Sequence, residues 1–399
     1  MSILFTPKSI GKAVIKNRFV RSPTGDKSAT ADGKCTDELV LFYRQLADGG
    51  SGLIITGGSF VQQNGQIAPG FIGMHADDVI EGYRRLTQAV HAYPDVKIFV
   101  QLHHCGKSTF NKPYYLAHYG TAIAPSPVKD WVIDMMPRQM TEAEIKQLIT
   151  AFAQATRRAK LAGFDGVQYH GCHGDLIHNF LSPYTNQRND RWGGSLENRF
   201  RFVREIYEQT RGLVGDDYPI AIKMNAQDYQ KGGITIDLSK RYAERLNGIG
   251  IDAIEISAGI HGEREFNMAR GDIPKDCMFI RSRKTEYGKR QVRKFLTAQA
   301  KEVKFKENYL LPFAKEIKKV IDVPLILPGG LRTVRVMEET INDGSADFIG
   351  LCRPLIRDPW FPDKVRKGFV TRSDCLNCNR CIGDKAVLCY QKLYRPPHL

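Results

Sequence analysis

The sequence predicts an α/β protein, a single (β/α)8 barrel carrying one long insertion and a cysteine-rich tail. Eight short apolar runs read as strands, and helix-period segments separate most of them. The motifs rich in glycine, histidine and proline fall just past those runs. Near-continuous apolar strands alternating with helices are what a parallel sheet covered by helices requires, and a count of eight points to closure.

The runs are Phe19 to Pro23, Gly52 to Thr56, Lys97 to Leu102, Asp165 to His170, Ile220 to Met224, Asp252 to Ser257, Pro324 to Leu327 and Asp347 to Leu351. The helix before the fourth run shows how the intervening segments read. Thr141 with Glu144 forms a capping box, Ile145, Leu148, Ile149, Phe152 and Ala159 recur at helical spacing, and Gly163 ends the helix. Between the sixth run and its helix, expected over Glu307 to Val320, the stretch from His261 to Lys306 is too long for a plain connection. It is expected to form a cap over the active-site face. The organisation predicted is therefore a barrel over residues 1–368, with the insertion at about 261–306, and a C-terminal extension over 369–399.

Composition narrows the class. Of 399 residues, 42% are hydrophobic and 25% charged, which is ordinary for a globular protein with a large core. No apolar run is long enough to span a bilayer, and Met1 to Gly11 lacks a signal-peptide pattern, so a cytoplasmic location is expected. The net charge is +15, and Arg281 to Lys306 carries ten Lys or Arg. Such a segment could attract anionic substrates or a dinucleotide phosphate, or be a solvated helix; no nucleic-acid motif accompanies it, and nucleic acid is not an expected partner. Four of the nine cysteines crowd into Cys375 to Cys389, a metal-like pattern in a long chain.

The most informative stretch runs from Gly163 through Tyr169-His170-Gly171-Cys172-His173-Gly174, Leu181-Ser182-Pro183, Asn186 and Arg188 to Trp192-Gly193-Gly194-Ser195-Leu196-Glu197-Asn198-Arg199. This order of residues resembles the old yellow enzyme family of flavin oxidoreductases, and the resemblance extends from about Phe5 to about Gly368. It implies a barrel that holds FMN noncovalently, takes hydride from NADH or NADPH, and passes it from flavin N5 to a C=C bond conjugated to a carbonyl. Small molecules are the expected partners, with a homo-oligomer or a redox partner as further options.

The resemblance assigns residues strand end by strand end. Pro23, Thr24 and Gly25 would lie against the flavin ring; the family usually carries Thr, Cys or His in place of Gly25. Gly58 would let the flat ring approach the backbone. The Gln101 amide offers a donor and an acceptor to the O2 and N3–H edge of the ring. Next come His103 and His104, of which one is expected to be structural. His170 and His173 would donate hydrogen bonds to a bound carbonyl oxygen. Asp175 stands where the family usually has a proton-donating tyrosine. It could be the acid if its pKa were raised; otherwise water or another side chain serves, or the substrate is not a simple enone. Lys223 replaces a frequent arginine at the N1 and O2 edge. Gly329, Gly330, Cys352 and Arg353 resemble the phosphate cradle that barrels build after strands seven and eight.

Cys375, Cys378 and Cys381 at two-residue gaps, with Cys389 eight positions on, could enclose a [4Fe-4S] cluster or a zinc ion, or bind nothing. The spacing resembles, in shortened form, the cluster motif of the dienoyl-CoA reductase and trimethylamine dehydrogenase branch, whose further FAD and nucleotide domains are not expected here. Three rival readings follow from the same residues. One is a flavin-dependent dehydrogenase, or an electron-transfer protein working through a tail cluster. The second is a metal-dependent hydrolase using His103, His104, His170 and His173, and the third is a redox sensor without turnover.

Overall fold

The computed structural model describes residues 2–131, 133–260, 270–271, 305–382 and 388–389. All eight expected strands are present: β1 Phe19–Arg21, β2 Leu53–Phe60, β3 Lys97–His103, β4 Gly166–Gly171, β5 Ile220–Gln227, β6 Ala253–Ala258, β7 Leu325–Leu327 and β8 Phe348–Leu351. Each pairs in parallel with the next, and β8 returns to β1 through Ile349 opposite Phe19 and Leu351 opposite Arg21, closing the barrel. The basic insertion expected over 261–306 lies almost wholly outside the described residues.

Two boundaries differ from expectation by four residues. The second strand continues past Thr56 through Gly57 and Gly58 to Phe60, because its register against β3 shifts between Ile55 and Gly58 and a bulge lets pairing resume. The helix expected from Glu307 starts instead at Leu311 and runs to Lys318. The Glu307 carboxylate is turned away to accept from the backbone amides of Arg332 and Thr333, each at 2.6 Å, and Pro312 sits in the first turn, where its missing N–H costs nothing. The capping box of Thr141 and Glu144 opens the helix Glu142–Leu161 as its sequence indicates. That helix packs on Leu196–Val214, with the Phe152 and Phe202 rings edge to face at 6.4 Å.

Inside the barrel, side-chain alternation along each strand builds layers. The floor is apolar: Val20, Leu53, Ile55, Phe99, Ala221, Ala253, Ile326 and Phe348 cluster with Ile10, Ala13 and Ile15. The last three belong to the hairpin Lys8–Ile10 and Ala13–Ile15, which plugs the amino-terminal end. Two residues further along the strands stand Ser22, Gln101, Gln168, Lys223 and Glu255, all buried. Sealed below and polar in its middle, the barrel interior opens at the carboxyl-terminal rim.

Phe99 has no exposed surface and fills the centre of the floor. Phe99→Ala is expected to lower stability by about 3–5 kcal/mol. Urea unfolding would show this as a lower midpoint with an unchanged slope; a loss below about 1 kcal/mol would contradict the layered packing.

Candidate active site

At the carboxyl-terminal rim a cavity of 320 Å³ is lined by the residues that the family resemblance assigns to flavin, phosphate and substrate: Pro23, Thr24, Gly25, Gly58, Gln101, His170, His173, Asp175, Lys223, Gly329, Gly330, Cys352 and Arg353. They come from seven different strand ends and meet because closure turns all the ends to one rim.

The cavity floor is a hydrogen-bonded chain across the barrel. Gln101 Nε2 donates to Gln168 Oε1 at 2.7 Å, and Gln168 Nε2 donates to Glu255 Oε2 at 2.7 Å. The other oxygen, Glu255 Oε1, accepts from Lys223 Nζ at 3.0 Å and from Ser22 Oγ at 2.8 Å. Burial by itself pulls the Lys223 ammonium down, but the Glu255 carboxylate outweighs it and holds the group above its ordinary value. Lys223 is therefore a protonated cation with a buried counter-ion.

Above that layer the histidines divide. His103, at the end of β3, enters the cavity, and its Nδ1 lies 3.2 Å from Asp175 Oδ2. The same oxygen is 3.2 Å from His170 Nε2, so one buried carboxylate bridges two imidazoles. His173 Nε2 lies 2.6 Å from Ser257 Oγ, and the residue holds a left-handed backbone, φ 65°, uncommon outside glycine and typical of a functional turn. His104 is the structural one. Its Nε2 meets Asn64 Oδ1 at 3.1 Å and its Nδ1 accepts the Gly106 amide at 3.0 Å. Burial, with the His103 ring beside it, drives it down to about 3, so it stays neutral. A metal site made of His103, His104, His170 and His173 is therefore not assembled. Among the described residues the trio of ligand atoms within 4.8 Å of one another is His170, Cys172 and His173, and burial pushes the Cys172 thiol well above its usual range.

At the opposite end of the cavity Gly329 and Gly330 have φ of +129° and +80°, a backbone that favours glycine and turns peptide groups toward a ligand. The Arg353 guanidinium beside them is tied to the Arg270 carbonyl at 2.7 Å and to Asn379 Oδ1 at 2.6 Å. Cys352 Sγ meets Thr24 Oγ1 at 2.8 Å. A cation and bent backbone at one end, and an amide with a paired lysine in the middle, suit a flat polar ring with a phosphate tail. FMN fits that donor set.

The tail folds against this end of the cavity. Arg332 Nη1 donates to the Cys375 carbonyl at 2.7 Å, and the Ser373 amide to the Arg332 carbonyl at 2.9 Å. Cys375, Cys378, Cys381 and Cys389 line one small cavity of 30 Å³, and Cys381 and Asn377 line the larger one as well. Burial pushes the Cys381 thiol up to about 12.

Gly25 has a structural counterpart that sequence reasoning missed. A Cβ there would lie 2.5 Å from Cε1 of Phe71, so the aromatic ring takes the space a side chain would use. Phe71 then forms an apolar wall with Ile67 and Phe110, its ring 6.4 Å from that of Phe110. Gln168, Glu255 and Ser257 were also missed. Their signal was present: each is a polar residue inside an otherwise apolar strand, as in Ile254-Glu255-Ile256.

Comparison with known proteins agrees with this geometry. The NADH:flavin oxidoreductase / NADH oxidase family matches residues 3–267. The NADH oxidase of Thermoanaerobacter brockii is 34% identical over 385 residues, 96% of this chain and 54% of that protein. A 2-naphthoyl-CoA reductase structure superposes with a TM-score of 0.81 at 27% identity, covering 94% of this chain and 54% of the other. The old yellow enzyme homologue of Zymomonas mobilis gives 0.73 at 25% identity, covering 94% and 95%. The chain spans about half the length of the first curated relatives it matches, 54% and 51%. With the closed barrel, the match across residues 3–267 shows that the chain belongs to the NADH:flavin oxidoreductase / NADH oxidase family, the old yellow enzyme type.

Proposed function

We propose that the protein binds FMN noncovalently and uses NADH or NADPH to reduce a C=C bond conjugated to a carbonyl group in a small molecule. The observation that carries this reading is the meeting, in one cavity, of His170 and His173 with Gln101, Lys223 and Arg353. When bound, the flavin supplies the hydride chemistry, accepting hydride from the nicotinamide and giving it to the activated alkene. Pro23, Thr24, Gly25 and Gly58 would bound its ring, Gln101 and Lys223 its polar edge, and Gly329, Gly330, Cys352 and Arg353 its phosphate.

The chain's own work is positioning and charge. His170 and His173 donate hydrogen bonds to the substrate oxygen, where negative charge grows as hydride arrives; donors already in place need no reorganisation. Ile67, Phe71 and Phe110 exclude water from the reacting face. The proton for the neighbouring carbon comes from the His103–Asp175 pair. Asp175 is 3% exposed, and its Oδ2 orients both flanking imidazoles, so the pair replaces the tyrosine usual in the family.

The four tail cysteines are read as holding an iron–sulfur cluster. They line one small cavity together, and zinc is the alternative occupant. Because Cys381 and Asn377 border both cavities, a second reading adds electron exchange between the flavin and a partner, or dehydrogenation of an amine or alcohol. The barrel over 1–368 and the extension over 369–399 would then work as one unit, as a monomer or homo-oligomer. Among the described residues the eight cysteines form no disulfide, the ground on which a cytoplasmic location is proposed, and no described helix is long and apolar enough to cross a membrane.

Anaerobically purified protein is expected to show flavin absorbance that bleaches with NADH or NADPH. Protein that stays colourless after FMN is offered would end this reading. About four iron and four sulfide per chain are expected on the tail, by analogy with four-cysteine cluster sites; stoichiometric zinc without sulfide would replace the cluster. Asp175→Asn should retain FMN yet lose turnover of an enone by about 100-fold or more, with a changed pH–rate profile. An unchanged profile would remove the His103–Asp175 pair as the acid.

A further inference from the structure

Resting on the FMN reading, we infer that Glu255 is a positioning residue for the flavin: it fixes the polarity of the Gln101 amide and neutralises Lys223, so lowering the potential of the bound cofactor. Glu255 has no exposed surface and does not border the cavity. It acts only through the residues it holds.

An ionised carboxylate accepts hydrogen bonds and donates none. The Glu255 carboxylate faces the lysine ammonium 3.0 Å away, and its two oxygens take three donors, Lys223, Ser22 and Gln168. Gln168 must therefore point its NH2 group at Glu255, which leaves its carbonyl oxygen for the next link. Gln101 can meet that oxygen only with its own NH2 group, at 2.7 Å. The Gln101 carbonyl oxygen is then the atom set by the chain to face the ligand. The amide orientation, which electron counts alone would leave ambiguous between oxygen and nitrogen, is decided by a charge two residues away along the network. The flavin edge receives an acceptor aimed at N3–H.

The charge argument runs through the same carboxylate. A lysine beside the ring would by itself favour the extra negative charge of the reduced cofactor. Here the lysine is already paired inside the barrel, so the ring meets a neutral ion pair rather than a lone cation, and the low-dielectric surroundings keep the carboxylate's opposing field strong. Reduction is less favoured than Lys223 alone would make it, and the reduced cofactor is a stronger hydride donor.

The test is the two-electron midpoint potential of the FMN holoenzyme in Glu255→Gln, with Glu255→Asp as the conservative rescue. Glu255→Gln is expected to shift the equilibrium toward reduced flavin at least tenfold, about 30 mV more positive for two electrons. Glu255→Asp is expected to recover most of the shift. A Glu255→Gln shift of that equilibrium by less than tenfold, below about 30 mV, would overturn the charge argument. On the wild-type protein, N3-methyl FMN, which has no N3–H to give, is expected to bind at least tenfold more weakly than FMN; equal affinity would overturn the polarity argument even if Glu255→Gln does not fold. Wild type that takes up no FMN would instead fail the flavin reading itself, so the two failures are distinguishable.

Discussion

Because Phe348–Leu351 pairs with Phe19–Arg21, the sheet has no free edge, and every strand presents its carboxyl end to the same rim. Closure also decides which side chains share the interior. Alternate residues of each strand point inward, so the enclosed space is filled in layers, apolar around Phe99 and polar at Gln101, Gln168, Lys223 and Glu255. The site is the next layer up, where the interior opens. Without closure, Ser22 and Glu255, 233 positions apart, would have no reason to meet.

A buried charge in such a layer is tolerated only if it is matched. The Lys223–Glu255 pair at 3.0 Å, with Ser22 and Gln168 on the remaining lone pairs, meets the condition that makes a buried ion pair bearable. The same arrangement gives the cavity floor a definite hydrogen-bond direction. It thus links a stability requirement of the interior to recognition at the rim, and one carboxylate serves both.

The upper layer follows a similar economy. Asp175 opens the short helix Leu176–Leu181, but its side chain is not spent on capping the helix; it reaches His103 and His170 instead. Gly25 and Phe71 likewise exchange roles. The loop after β1 lacks a side chain at residue 25, and an aromatic ring from elsewhere in the chain occupies that space. At the Gly329–Gly330 end of the cavity the tail is bound through Arg332 and Arg353, residues that also border the cavity, so the cysteines and the site share supports.

Much of this was legible in the chain itself. Strand positions follow from apolar runs because a parallel strand buried on both faces is mostly apolar, and the Thr141 cap follows from local hydrogen bonding. Candidate site residues such as Gln101, His170 and Arg353 were legible because each stands at or just past the carboxyl end of a strand, where a barrel keeps its chemistry. What only the tertiary structure decided are relations between distant positions. It divided His103 from His104, put Phe71 beside Gly25, drew Glu307 off the helix expected there, and joined Gln101 through Gln168 to Glu255. Local sequence carries the propensity of each segment to become a strand or helix, whereas a hydrogen bond across the barrel depends on register and closure, which exist only once all eight strands have paired.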